Sequence, residues 1–192
     1  ALVQAGICPR ALAGDIREGP LANARKTVEA AGLQHQIALR LSDGFSCFAP
    51  EDASVWILAG MGGTLMVRLL DAAPWLCAPG TTLVCQPMRH AWELRAWLCS
   101  HGFCINEEQA CHDAGRPYHA LRAVFGTQNT DRPQGIGYAY YGELPQCRHP
   151  AAQEILAREQ RLLQTRAAAL KKNGQPNKNL TKILLDFNEG EP

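Results

Sequence analysis

The run Val55–Ala59 (VWILA) constrains the fold more than any other feature, because it is apolar throughout and leads directly into the glycine-rich turn Gly60–Gly63 (GMGG). A short, uniformly apolar run bounded by glycines is typical of a strand in a parallel sheet that has both faces covered. The sequence therefore predicts a buried parallel strand over 55–59 that ends at this turn.

Strand and helix signals alternate over residues 1–126. Such alternation is typical of an α/β fold in which helices cover the faces of a mainly parallel sheet. The predicted strands are a short one ending at Asp15, Ile37–Leu41, Val55–Ala59, Thr81–Gln86, Phe103–Cys111 and Tyr118–Phe125, and the predicted helices are Leu21–Ala31, Thr64–Ala72 and Arg89–Ser100. A short polar turn separates the last two strands, so we expect an antiparallel hairpin at the edge of the sheet.

The pattern changes after residue 126. Residues 127–150 form a polar connection, and residues 151–192 contain two helical segments, Ala151–Lys172 and Lys178–Phe187, around a tight turn. Each segment has one apolar stripe, so we expect an antiparallel helical hairpin.

Three tyrosines of the connection could serve in either of two ways. Tyr138, Tyr140 and Tyr141 could stack on RNA bases, or they could pack between the sheet and the helical hairpin. Packing is the favoured interpretation.

The overall composition narrows the class of protein. Nineteen Lys and Arg against eighteen Asp and Glu leave a net charge of +1, so a polyanionic partner would have to meet a local basic patch. No window approaches eighteen consecutive apolar residues, and no basic segment followed by an apolar run marks a secretion signal. We therefore expect a cytoplasmic protein with no membrane partner.

Residue types that would support other chemistries are scattered. The eight cysteines include no C-x-x-C pair and the six histidines have no metal-ligand spacing, so we expect free thiols and no metal site. No G-x-S-x-G element occurs, which argues against a serine nucleophile. The sequence assigns no catalytic residue.

Polar residues and glycines stand where three predicted strands end. Asp15 follows the first strand, Asp43 and Gly44 follow the second, and the glycine-rich turn follows the third. Open α/β sheets bind ligands at the carboxyl ends of their strands, where a carboxylate can accept hydrogen bonds from both hydroxyls of a ribose. The alternatives are a cap for the following turn at Asp15, a plain turn at Asp43 and Gly44, and a tight turn without a ligand at the glycine-rich segment.

The order of short motifs resembles that of a known family. The motifs are Ala13-Gly14-Asp15-Ile16, Leu41-Ser42-Asp43-Gly44, Leu58-Ala59-Gly60-Met61-Gly62-Gly63 and Leu83-Val84-Cys85-Gln86-Pro87. Together they resemble the TrmK family, bacterial tRNA (adenine-N1) methyltransferases that use S-adenosyl-L-methionine and act on a D-arm adenine. The resemblance covers residues 1–126 and implies a class I, Rossmann-like methyltransferase sheet. The helical hairpin is similar to the C-terminal coiled coil of that family.

The resemblance implies a role for each matching residue. Asp15 binds the ribose of the cofactor, and Asp43 with Gly44 holds its adenine. Gln86 and Pro87 border the pocket for the target base. The implied cofactor-binding residues at the end of the third strand are Ala59, Gly60, Met61 and Gly62, the last three at the methionine and methyl end.

The helical hairpin is mildly basic. Its cations could hold the phosphates of tRNA, and the candidates for that contact are Arg158, Arg161, Lys171 and Lys172. An ordinary solvated helix face is the alternative.

The resemblance also implies a first strand and a glycine-rich loop about twenty residues before Asp15. Only fourteen residues precede Asp15, so we expect a sheet that lacks this strand and exposes two edges. In the family the same segment carries an Asp-His pair facing the methyl donor, so we expect cofactor binding and catalysis to depend on it.

The resulting hypothesis is methyl transfer from S-adenosyl-L-methionine to N1 of a tRNA adenine. Two other hypotheses stay open at this point, a methyltransferase for another nucleic acid or a small molecule, and a non-catalytic module whose hairpin recruits a partner. Cofactor binding separates the last from the others, and a panel of substrates separates those.

Overall fold

The structure, a computed structural model, describes residues 1–126, 136–175 and 177–189. In that part of the chain the strands are β1 (Ala11–Asp15), β2 (Ile37–Leu41), β3 (Val55–Met61), β4 (Thr82–Pro87), β5 (Phe103–Asp113) and β6 (Arg116–Phe125). The helices are α1 (Glu18–Ala30), α2 (Gly63–Asp71), α3 (Ala91–Ser100), α4 (Ile136–Tyr141), α5 (Pro150–Lys172) and α6 (Lys178–Glu189). Each predicted element is present. The additional helix α4 lies in the predicted polar connection, of which residues 127–135 are outside the described residues.

Two helix starts differ from the prediction for identifiable reasons. α1 begins at Glu18 rather than Leu21, because Pro20 fits in the first turn of a helix, where its missing N–H is not needed. α3 begins at Ala91 rather than Arg89, because His90 has a left-handed backbone with φ 55°.

The described chain divides into two compact units. The first comprises residues 1–54 and 71–75, and in it β1 and β2 pair in parallel with Asp15 opposite Leu41. α1 supplies the crossover that a parallel pair needs, and its Leu21 is buried. This pairing places the carboxyl ends of β1 and β2 side by side.

The second unit comprises residues 55–70 and the described residues after 75, and it holds a four-stranded sheet in the order β3-β4-β6-β5. β3 and β4 are parallel, whereas β6 is antiparallel to both β4 and β5. The predicted hairpin is therefore present, and its second strand is the one that pairs with β4. The buried core of this unit includes Met66, Leu70, Leu83, Cys85, Leu94, Leu98, Leu121 and Ala123.

β3 lies at an edge of the four-stranded sheet. Trp56 and Leu58 are buried, whereas Val55 and Ile57 are 51% and 54% exposed. Side chains alternate between the two faces of a strand, so one face of β3 is buried and the other is open in the described chain. The prediction that both faces of this strand are covered is wrong for the residues that the structure describes.

The C-terminal helices take part in two separate apolar clusters. Near its start, α5 contributes Ile155 to a cluster with Ala110 of β5. Farther along, Leu163 of α5 clusters with Leu180 and Ile183 of α6. The predicted pair of helices is therefore held together by its apolar stripes, and the first turns of α5 are anchored on the sheet.

The tyrosine-rich connection contributes to packing. Tyr138 is buried, and Tyr140 stacks on Trp92 of α3 with ring centroids 5.2 Å apart. Tyr140 also packs against the cluster that joins α5 and α6. Both tyrosines therefore take part in packing, and the contacts of Tyr140 are with α3 and with the helical hairpin.

Candidate functional site

Asp15 is the last residue of β1 and is half-buried. Its Oδ1 accepts a hydrogen bond of 2.8 Å from the backbone N–H of Arg17, which closes the turn into α1. The cap that the sequence left as an alternative is therefore present. A carboxylate has two acceptor oxygens, so Asp15 can close this turn and also accept a ligand hydroxyl through Oδ2.

A compact loop follows β2 and presents Asp43 and Gly44. The buried hydroxyl of Ser42 organises this loop, since it donates to the carbonyl of Gly44 at 2.9 Å and accepts from the backbone N–H of Cys47 at 3.1 Å. Gly44 has φ 55°, in the left-handed region that favours glycine. Asp43 is exposed in a turn whose shape is set by these hydrogen bonds.

An ion pair braces the same loop. Both terminal nitrogens of Arg40 contact the carboxylate of Asp52, with Nη2 2.9 Å from Oδ1. Arg40 Nη1 also donates to the carbonyl of Cys47 at 2.9 Å. The hydrogen bond from Arg40 holds the pKa of the Asp52 carboxyl below its usual value. The loop that presents Asp43 is thus held from within by Ser42 and from outside by Arg40.

In the second unit, further hydrogen bonds tie the carboxyl ends of β3 and β4 together, in addition to their strand pairing. Gln86 Oε1 accepts a hydrogen bond of 2.9 Å from the backbone N–H of Gly60, and Gln86 Nε2 lies 3.3 Å from Met88 Sδ. The backbone N–H of Met88 donates to the carbonyl of Met61 at 2.9 Å. The structure therefore brings the glycine-rich turn and the Gln-Pro element together, and the Gln86 amide holds the turn.

The glycine-rich turn leaves open space beside its backbone. Gly60 is left-handed with φ 76°, and a Cβ at Gly60 or Gly62 would meet no described heavy atom within 4 Å. Gly63 differs, because a Cβ there would overlap the carbonyl of His90. A ligand can therefore approach the backbone closely at Gly60 and Gly62, where no side chain stands in the way.

The helices α5 and α6 carry a stretch of charge of one sign. Residues 160–185 contain six Lys and Arg and no Asp or Glu. The predicted phosphate-contacting residues are all exposed on α5, and they are Arg158, Arg161, Lys171 and Lys172. Arg158 Nη2 lies 3.5 Å from Glu159 Oε1, whereas the other three fall within the stretch that has no acidic residue.

Two kinds of arrangement are absent from the described residues. Among them, no group of three or more His, Cys, Asp or Glu is arranged to hold a metal ion. No helix in the same residues combines the length and the apolar character that crossing a bilayer requires.

Ser42, Thr64 and His90 shape the site but are not among the predicted site residues, and Gln86 is a predicted residue whose bond to Gly60 was not foreseen. A serine directly before Asp-Gly is a known signal for a side-chain-to-backbone turn, so the role of Ser42 could have been found. The bond between Gln86 and Gly60 joins residues twenty-six positions apart, and so does the bond between Thr64 and His90. No local spacing rule predicts either contact, because both depend on β3 and β4 being neighbours in the sheet.

Comparison with known proteins decides the family. A family model described as a methyltransferase domain matches residues 1–121. This chain belongs to that methyltransferase-domain family. The tRNA (adenine(22)-N(1))-methyltransferase of Bacillus subtilis (strain 168) is 32% identical to this chain over 119 residues. The matched residues are 62% of this chain and 50% of that enzyme. The chain thus spans half the length of this relative.

Solved structures extend the similarity beyond the methyltransferase domain. A Streptococcus pneumoniae protein, a candidate tRNA (m1A22) methyltransferase, is 30% identical with a TM-score of 0.78, and the match covers 100% of this chain and 86% of that one. The same protein in complex with S-adenosyl-L-methionine is matched at 28% identity with a TM-score of 0.80, over 100% and 85% of the two chains. The predicted resemblance to the TrmK family and the class I methyltransferase fold are confirmed.

Proposed function

We propose that the protein transfers a methyl group from S-adenosyl-L-methionine to N1 of an adenine in the D-arm of tRNA. The observation that carries this proposal lies at the carboxyl ends of β3 and β4 in the second unit. There the side chain of Gln86 accepts a hydrogen bond from the backbone of Gly60, and no described side chain covers the backbone at Gly60 and Gly62. The relatives add support, since one was solved with S-adenosyl-L-methionine and another is named for methylation of adenine 22 at N1.

Each unit, taken by itself, offers residues that fit one part of this cofactor. Asp15 offers a carboxylate oxygen to the ribose hydroxyls, and the turn at Asp43 and Gly44 offers a held backbone to the adenine. The segment from Ala59 to Gly62 fits the methionine end of the cofactor. No side chain of the described residues covers its backbone at Gly60 and Gly62. When bound, S-adenosyl-L-methionine would supply an activated methyl group on a sulfonium.

The reaction needs positioning more than it needs a strong base. Adenine N1 carries a lone pair, so no proton has to be removed before it attacks the methyl group, and orientation and electrostatics supply the acceleration. N1 lies on the Watson–Crick edge, so the adenine has to be unpaired or turned out of a helix. In this proposal Gln86 and Pro87 border the pocket for that base, and Gln86 also keeps Gly60 in place.

Methyl transfer to a tRNA transcript tests the proposal directly. Radiolabelled S-adenosyl-L-methionine is the donor, and reverse transcription locates the product because N1-methyladenine blocks pairing. We expect a stop at a D-arm adenine. Binding of S-adenosylhomocysteine without methylation of tRNA would move the activity to another substrate. Absence of binding, both by this chain and by a version that carries the expected N-terminal strand, would favour the non-catalytic module.

Asp15→Asn is expected to weaken binding of S-adenosylhomocysteine about thirtyfold, since it removes a charged acceptor for ribose hydroxyls. Asparagine keeps an oxygen for the Arg17 N–H, so the turn into α1 is preserved. Calorimetric titration measures the change, and Asp113→Asn, at the exposed end of β5, is the matched control. Equal affinities for Asp15→Asn and the control would remove Asp15 from the cofactor site.

Neutralising two basic residues on α5 is expected to weaken tRNA binding. The double variant Lys171→Gln/Lys172→Gln should reduce the slope of log K against log salt by about 1.5, because each phosphate contact releases counterions. The variant Arg25→Gln/Lys26→Gln makes the same change of charge on an exposed face of α1 and is expected to leave the slope unchanged. Identical slopes for the two variants would support the solvated-face interpretation.

A further inference from the structure

The glycine-rich turn and the residues that follow β4 are joined by hydrogen bonds, and the last of these contacts is between the side chains of Thr64 and His90. The backbone N–H of Gly63 donates to the carbonyl of Arg89 at 2.7 Å, and Thr64 Oγ1 lies 3.0 Å from His90 Nδ1. The imidazole of His90 is therefore attached to the same tied pair of loops as Gly60, at the carboxyl ends of β3 and β4.

The backbone of His90 is in the left-handed region, with φ 55° and ψ 39°. In the described chain, Ala114 in the β5–β6 turn is the other non-glycine residue with positive φ. This conformation costs free energy for a residue with a Cβ, and glycine adopts it without that cost. The local backbone thus favours glycine at position 90, and strained residues of this kind cluster at functional sites.

The imidazole is presented to solvent with one nitrogen engaged. The His90 side chain is 60% exposed, and its Nδ1 is the nitrogen that lies near both Thr64 Oγ1 and Glu93 Oε1, the latter at 3.7 Å. Nε2 is therefore the nitrogen that can form a hydrogen bond with a ligand.

We propose that His90 contacts the target nucleotide, with Nε2 forming a hydrogen bond to the edge of the adenine, and that Thr64 is a positioning residue that orients the imidazole. This inference rests on the proposed function, because it names a residue that contacts the substrate base in that reaction. The proposed contact is with the tRNA substrate and not with the cofactor, so tRNA binding and S-adenosylhomocysteine binding can be measured separately.

His90→Gly is the principal variant, because glycine suits the left-handed backbone while it removes the imidazole. We expect kcat/KM for a tRNA transcript to fall about tenfold, through a higher KM, since a hydrogen bond to the base is lost. The Kd for S-adenosylhomocysteine should not change, and the Tm should be equal or higher, because strain in the backbone is relieved.

Three further variants distinguish the effect of losing the imidazole from the effect of relieving backbone strain. Ala114→Gly makes the same relief of strain away from the tied loops and is expected to leave kcat/KM unchanged. Thr64→Val removes the hydroxyl that orients the ring and is expected to show part of the loss in kcat/KM. Thr64→Ser keeps the hydroxyl and is expected to restore the wild-type value.

The outcomes distinguish this inference from the proposed function. An unchanged kcat/KM in His90→Gly, beside a wild type that methylates tRNA, would overturn the role of His90 and leave the proposed function standing. A parallel rise in the Kd for S-adenosylhomocysteine would show that His90 acts on the cofactor loops, which would also overturn it. A wild type that neither binds S-adenosylhomocysteine nor methylates tRNA would overturn both proposals.

Discussion

Replacement of Arg95 by methionine is expected to lower the free energy of unfolding by about 3 to 5 kcal/mol, because it leaves the charge of Glu108 buried without its partner. The side chains of Arg95 and Glu108 are 1% and 0% exposed, and Arg95 Nη2 lies 2.6 Å from Glu108 Oε1. Methionine is long and flexible enough to fill most of the space, so the loss comes mainly from the stranded carboxylate.

The same pair of residues also holds the segment that leads to the C-terminal helices. Arg95 Nη1 donates to the carbonyls of Ala139 and Tyr140 at 3.0 and 2.9 Å, and Glu108 Oε2 accepts from the backbone N–H of Glu143 at 3.1 Å. The two carbonyls lie in the last turn of α4, where the backbone carbonyls of an α-helix have no N–H donors within the helix. The substitution therefore removes the cap of α4 as well as the ion pair.

Urea unfolding followed by circular dichroism measures this loss, and two other variants test its cause. Arg40→Met breaks an ion pair whose side chains are 35% and 19% exposed, so we expect a much smaller loss. Arg95→Met/Glu108→Leu removes both buried charges and is expected to recover most of the stability. A loss in Arg95→Met no greater than that in Arg40→Met would contradict the explanation by a stranded charge.

Acidification from pH 6.5 to pH 3 is expected to destabilise the folded state by up to about 5 kcal/mol through His119 alone. Burial, together with the nearby charges of Arg95 and Arg158, lowers the pKa of His119 from 6.5 to about 3. Between these values the unfolded chain binds a proton at His119 and the folded chain does not. Stability therefore falls as the pH falls through this window.

The surroundings of His119 explain why the folded state excludes the proton. His119 Nε2 has no hydrogen-bond partner among the described residues. It lies 3.4 Å from Glu108 Oε1, but that carboxylate already pairs with Arg95 at 2.6 Å. The positive charge of Arg95 offsets the negative charge of Glu108, so a protonated imidazole would be a net uncompensated charge in a buried place.

Urea midpoints measured between pH 7 and pH 4 test this expectation. His119→Leu cannot titrate at this position, so the pH dependence of its unfolding free energy should be smaller than that of the wild type by one bound proton. His35→Leu removes an exposed histidine of the first unit and leaves the buried imidazole in place, so it is the matched control. The explanation fails if His119→Leu and the wild type have the same pH dependence.

Local patterns in the sequence determined the order and kind of the elements. The apolar run 55–59 became β3, and the amphipathic stripes became α5 and α6, because strand and helix periods are properties of neighbouring residues. The candidate residues Asp15, Asp43 and Gly60 could also be predicted, since each stands at or just after the end of a strand signal. Their positions at strand ends follow from the chain alone.

Only the tertiary structure decided which distant residues meet. The sequence predicts a β5–β6 hairpin, but not that β6 lies beside β4, because either strand can pair with a sheet edge. Local patterns also did not predict three other features. These are the hydrogen bond between Gln86 and Gly60, the left-handed backbone of His90 and the buried ion pair of Arg95 and Glu108. Each depends on the close approach of separate elements, and the free energy of such contacts comes from burial and hydrogen-bond geometry that exist only once the sheet has formed.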